Sequence, residues 1–98
     1  QLAAEEVNTA GGVLGRPVKL VVRDTRSDLD STSEVVRELG TTPGMTLLIG
    51  EIASARSINA AAIAQELGIP MISPASTHQD VTSAGDRIFR MCYAEPFQ

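Results

Sequence analysis

The strongest constraint on this chain is the regular alternation of short apolar runs with stretches of helical periodicity. The apolar runs are Val18-Lys19-Leu20-Val21-Val22, Met45-Thr46-Leu47-Leu48-Ile49, Ile69-Pro70-Met71-Ile72 and Ile88-Phe89-Arg90-Met91-Cys92. Their length and aliphatic content predict strands of a buried sheet, and a proline near the start of the third is compatible with a strand beginning. Between them the spacing changes. Leu2, Ala3, Val7 and Ala10 share one side of a helix over residues 2–10, which Gly11 and Gly12 stop. Ser31 and Glu34 have the spacing of a capping box, and Thr32, Val35, Val36 and Leu39 follow the i, i+3, i+4, i+7 rule, so a helix is predicted over 31–39. Ala60, Ile63, Ala64 and Leu67 predict another over 55–67, ended by Gly68, and Thr77 with Asp80 predicts a short capped helix.

The resulting order is α-β-α-β-α-β-(α)-β. Strands joined through helices run parallel with right-handed crossovers, so the predicted class is α/β, a doubly wound parallel sheet. The chain opens on a helix, and alternation predicts a strand ahead of it.

Composition narrows the function. A length of 98 residues is one small domain or a piece of a larger one. Lys and Arg number 8 against 12 Asp and Glu, for a net charge of −4, with no basic stretch, which argues against binding driven by nucleic-acid or membrane phosphate. Phe89, Tyr93 and Phe97 are the only aromatic residues, so a stacking platform for single-stranded nucleic acid is absent. One cysteine, Cys92, and one histidine, His78, exclude an internal disulfide and the usual zinc sites. Asp24, Asp28, Asp30 and Glu51 lack calcium-loop spacing and read as solvated loop charges; His78 has no partner by motif and reads as a loop residue; Cys92 reads as a small buried strand residue. Phosphate-loop, dinucleotide and nucleophile-elbow motifs are absent, and the glycines of Ala10–Gly15 follow a helix and precede a strand, the wrong order for a phosphate loop. No cofactor, metal or catalytic group is expected.

Open parallel sheets bind ligands at the carboxyl ends of their strands. Three loops should share that edge: Arg23–Asp28, Glu51–Ala55 and Ser73–Thr77. The second enters a helix, where unpaired N–H groups and the Ser54 hydroxyl could hold a carboxylate or phosphate, and the third adds the hydroxyls of Ser76 and Thr77. The competing reading makes Ser54 and Thr77 plain helix caps.

The run Glu5-Glu6-Val7-Asn8-Thr9-Ala10-Gly11-Gly12-Val13-Leu14-Gly15-Arg16-Pro17-Val18 resembles the N-terminal region of branched-chain amino acid-binding proteins, the solute receptors of ABC importers. Leu48-Ile49-Gly50 with Ser54, then Gly68-Ile69-Pro70-Met71-Ile72-Ser73-Pro74-Ala75-Ser76-Thr77, then Ile88-Phe89-Arg90, are similar in order and spacing. The resemblance implies a type I periplasmic binding fold, in which two α/β lobes close on a ligand. It implies that Ser54, the Ala75 backbone and Thr77 hold a ligand carboxylate, with Ser76 offering a backbone amide. It further implies a binding protein and not an enzyme, periplasmic or extracellular (lipid-anchored in Gram-positive hosts), with an amino acid as ligand and an ABC permease as partner. A sensor or receptor of the same fold, for an amide, urea or an aromatic acid, is the alternative. Residues 1–98 would then be part of the first lobe, with the family's central first strand ahead of Gln1 and the second lobe after a crossing near Arg90–Gln98. Losing a central strand leaves buried N–H and C=O groups unpaired at roughly 1–3 kcal/mol each, against about 5–15 kcal/mol for a whole domain. The chain alone is therefore expected to be unstable or to oligomerise.

Overall fold

The structure, a computed structural model, describes residues 1–93. Helix α1 spans Leu2–Thr9, α2 Leu29–Thr41, α3 Ser54–Leu67 and α4 Asp80–Ser83; strand β1 spans Leu48–Ile49, β2 Met71–Ser73 and β3 Ile88–Arg90. The strands form one sheet in the order β1-β2-β3, all parallel, with Leu48 opposite Met71 and Met71 opposite Ile88. The predicted α/β class and parallel direction are therefore observed.

Helix α3 forms the centre because its small residues let neighbours approach. Ala60, Ala61, Ile63 and Ala64 are buried together with Val36 of α2, Leu48, Met71 and Ile88 of the sheet, and Val81 of α4. Its end is built by Gly68 at φ +77°: the N–H groups of Gly68 and Ile69 return to the carbonyls of Gln65 and Ala64 at 3.2 and 2.9 Å. This backbone conformation costs glycine little and turns the chain directly into β2. Among the described residues no helix is long and apolar enough to cross a membrane.

Several predicted elements differ. Helix α1 is where the pattern puts it, but none of its residues is buried. Helix α2 begins at Leu29, ahead of the predicted Ser31–Glu34 box. Asp28 is its cap and no free loop charge: Oδ2 accepts the Ser31 N–H at 2.9 Å, because a carboxylate at the cap position outcompetes the hydroxyl three residues on. The predicted inward face holds, with Thr32 and Val36 buried and Leu39 half-buried. Helix α4 is not capped by Thr77; the Asp80 N–H goes to His78 Nδ1 at 3.1 Å. The strands are shorter than predicted, β1 starting at Leu48 and β3 ending at Arg90. Cys92 lies past β3, half-buried, its Sγ on the Ser76 carbonyl at 3.3 Å.

The main departure is the predicted strand 18–22, which forms no ladder. A strand needs a hydrogen-bonded neighbour, and here side chains hold the segment instead. The Asn8 amide clamps both the N–H and the C=O of Val18 at 2.6 and 2.8 Å, and Arg23 Nε meets Glu38 of α2 at 3.1 Å. The predicted crossing near Arg90–Gln98 falls partly on residues 94–98, outside the described residues.

Candidate functional site

The three loops predicted to share the carboxyl edge of the sheet are joined there by side chains. Thr25 donates to the Glu51 carboxylate, and Ser76 donates to the loop after β1. The centre of the junction is the Glu51 carbonyl oxygen. Ser57 and Ser73 Oγ lie 2.9 Å from it, and Ser76 Oγ lies 2.8 Å from it. Ser76 Oγ is also 2.8 Å from the Ile52 carbonyl and 2.5 Å from Ser57 Oγ, so its single proton is shared among acceptors. The Glu51 N–H donates to Ser57 Oγ, and the Ser76 N–H to Ser73 Oγ, both at 3.1 Å. All three serines are fully buried, and burial of this kind is tolerated because each hydroxyl is paired.

The Glu51 side chain adds an ion pair, Arg56 Nε to Oε2 at 3.0 Å, so it is not the solvated loop charge that its sequence position suggests. Burial pushes this carboxyl up, but the hydrogen bonds from Thr25, Arg56 and the Ile52 N–H, with the Arg56 charge, outweigh it and hold the group below the usual carboxylate range.

Ser54 is the first residue of α3, not its cap; Ala53 occupies the cap position. Ser54 Oγ instead accepts the His78 N–H at 3.2 Å, which brings the Thr77–His78 peptide beside the helix start. The first bond within α3 runs from the Ser57 N–H to the Ala53 carbonyl at 3.0 Å, so the N–H groups of Ser54, Ala55 and Arg56 precede it and point out of the helix. Ala75 is exposed and Thr77 half-buried on the loop after β2. Ser54 and the Ala75–Thr77 loop are thus drawn together. Ser76 is a correction: its N–H and its hydroxyl are both committed inside the protein, so it fastens the loop and offers no amide to a ligand.

Sequence reasoning missed Ser57, Ser73 and Arg90. Ser57 was within reach, since the small-residue stripe of Ala60, Ala61 and Ala64 continues one turn back to it. Arg90 fastens the far side of the same loop, with Nη1 on the Ser76 carbonyl at 3.1 Å and Nη2 on the Gln79 carbonyl at 3.3 Å and Thr82 Oγ1 at 2.9 Å. Among the described residues there is no cluster of three or more side chains able to hold a metal ion.

Comparison with known proteins identifies the family and the fold. The profile of the periplasmic binding protein family matches residues 1–95. An amino acid binding protein of Pseudomonas aeruginosa is 35% identical over 91 residues, covering 92% of this chain and 24% of its own length. The ABC transporter substrate-binding protein of Desulfitobacterium hafniense, solved in complex with Leu, is 36% identical with a TM-score of 0.89, covering 95% of this chain and 28% of that one. A branched-chain amino acid transporter substrate binding protein of Streptococcus pneumoniae, solved with isoleucine, is 31% identical with a TM-score of 0.89, covering 96% and 27%. The chain spans about a quarter of the length of these relatives. Its α/β arrangement is that of the type I fold, and its family is one of solute-binding proteins, not enzymes. By fold and by sequence along nearly all of its length, this chain belongs to the periplasmic binding protein family.

Proposed function

We propose that the chain is part of the first lobe of a solute receptor of an ABC importer, and that it holds the carboxylate of a branched-chain amino acid or related small acid. The observation that carries this reading is the start of α3. Three N–H groups open outward beside the Ser54 hydroxyl, and the His78–Ser54 bond seats the Ala75–Thr77 loop against them. A helix start favours an anion through its dipole and its unpaired donors. Arg56 is already paired with Glu51, so neutral donors do the holding. In this reading Ser54, the Ala75 backbone and Thr77 are the ligand contacts. A strand ahead of Gln1 and a second lobe beyond Gln98 complete the receptor, which works outside the cytoplasm, on a lipid anchor in Gram-positive hosts, and delivers to a membrane permease.

The test is calorimetric titration of a full-length protein carrying this segment against a panel of amino acids, urea, amides and aromatic acids. Selective binding of an aliphatic amino acid, weakened at least tenfold in Ser54→Ala and in Thr77→Val, supports the reading. Binding only of urea, an amide or an aromatic acid overturns the ligand class, and unchanged affinity in both variants overturns the site.

A further inference from the structure

The loop after β2 is held from behind by one side chain. Arg90, the last residue of β3, sends Nη1 to the Ser76 carbonyl at 3.1 Å, and Nη2 to the Gln79 carbonyl at 3.3 Å and to Thr82 Oγ1 at 2.9 Å. Ser76 and Gln79 flank Thr77 and His78 in the chain. The planar guanidinium therefore grips both ends of the segment that carries Thr77, with a fixed spacing of donors that a lysine ammonium lacks. On its other side the same segment is tied to α3, through the His78 N–H on Ser54 Oγ at 3.2 Å.

Two features make Arg90 more than a fastener. The first is direction. A trans peptide sets its C=O and N–H on opposite sides. The Ser76 carbonyl turns toward Arg90 and toward Cys92, whose Sγ lies 3.3 Å away, so the Thr77 N–H of the same trans peptide turns away from Arg90. The second is charge. All three acceptors of Arg90 are neutral oxygens, and among the described residues no carboxylate pairs with it, whereas Arg23, Arg37 and Arg56 each have one. A full positive charge, half-buried, thus stands behind a peptide whose dipole it aligns and strengthens. It has the sign that a carboxylate in front of the loop requires, and Arg56 is already committed to Glu51. Pairing the Ser76 carbonyl does not by itself call for a cation, because Cys92 reaches the same oxygen.

We propose that Arg90 is a positioning residue of the anion site: it fixes the Thr77–His78 segment against α3 and supplies, from behind the loop, the positive charge that the neutral donors lack. It acts through the Ser76–Thr77 peptide and does not itself touch the ligand. This inference rests on the reading of the loop edge as a carboxylate site.

The test measures two quantities on a full-length protein carrying this segment. One is calorimetric affinity for leucine, isoleucine and valine; the other is amide exchange of Thr77 and His78 without ligand. Arg90→Gln removes both charge and fork, Arg90→Lys keeps the charge and loses the fork, and Thr82→Val removes one acceptor of the fork while leaving Arg90 in place. Exchange at Thr77 and His78 should quicken in both Arg90 variants, while the buried Ala61 amide of α3 stays as slow as before. Affinity should fall about tenfold in Arg90→Gln and about threefold in Arg90→Lys and in Thr82→Val. Partial rescue by lysine at equally fast exchange is the signature of charge, since a merely structural brace makes affinity follow exchange alone. Unchanged affinity in Arg90→Gln, or equal losses in the glutamine and lysine variants, overturns the inference and leaves the carboxylate reading standing. Should Arg90→Gln fail to fold, Arg90→Lys and Thr82→Val decide: weakened binding in both supports the inference, and unchanged binding in either overturns it. Failure of the unaltered protein to bind any of the three amino acids overturns the ligand reading, and this inference with it.

Discussion

Replacing Ser73 with alanine removes a hydroxyl that plays two parts of unequal weight. As a donor it is one of three on the Glu51 carbonyl, and Ser57 and Ser76 remain to satisfy that oxygen. As an acceptor it serves the Ser76 N–H at 3.1 Å, in a residue with no solvent exposure. The lost donation therefore costs little, and the orphaned amide costs most of about 1–3 kcal/mol. Ser76→Ala is the informative comparison. It leaves the Ser76 N–H paired and removes one donor from the Glu51 carbonyl, which Ser57 and Ser73 still serve, and from the carbonyl of Ile52, a residue that is 69% exposed. Ser73→Ala should then destabilise by about 2 kcal/mol and Ser76→Ala by about 1 kcal/mol. Urea unfolding of a full-length protein carrying the segment measures both, and amide exchange at residue 76 reads the local effect. A reversed ranking, or a Ser73→Ala loss below about 0.5 kcal/mol, would refute the reasoning that the orphaned amide dominates.

Two further outcomes follow from the same geometry. Glu51 is held below its ordinary range when folded, so the stability it contributes is present above the unfolded carboxylate range and is lost as pH falls through the lowered folded value; acid titration of unfolding should show this loss, and Glu51→Gln should diminish it. Gly12→Ala should destabilise by more than about 1 kcal/mol, since φ is +78° and a Cβ there would collide with the Arg16 carbonyl; thermal unfolding measures it, and a neutral result would contradict the turn as described.

What the sequence revealed and what it hid divide along a physical line. Helix α3 was legible because Ala60, Ile63, Ala64 and Leu67 repeat with the helical period and Gly68 ends them. Helix α2 was legible in its face but not in its start, since Ser31 and Asp28 are both good caps and only the three-dimensional contact decides between them. The segment 18–22 has strand composition, yet pairing is a property of two segments and cannot be read from one. Ser54 and Thr77 were placed by strand order alone, whereas Ser57 and Ser73 look in sequence like any polar residue and acquire their role only when the Glu51 carbonyl arrives between them.

The threefold-bonded Glu51 carbonyl has a consequence for binding entropy. Donors on flexible loops must be immobilised when a ligand arrives, and each immobilised side chain or loop subtracts from affinity. Here the loops after β1 and β2 are already tied by buried hydroxyls, with Arg90 bracing the second from β3. In the proposed reading, a ligand meeting this edge would find its contacts preorganised, so the ordering cost would fall on whatever closes over it and not on these loops.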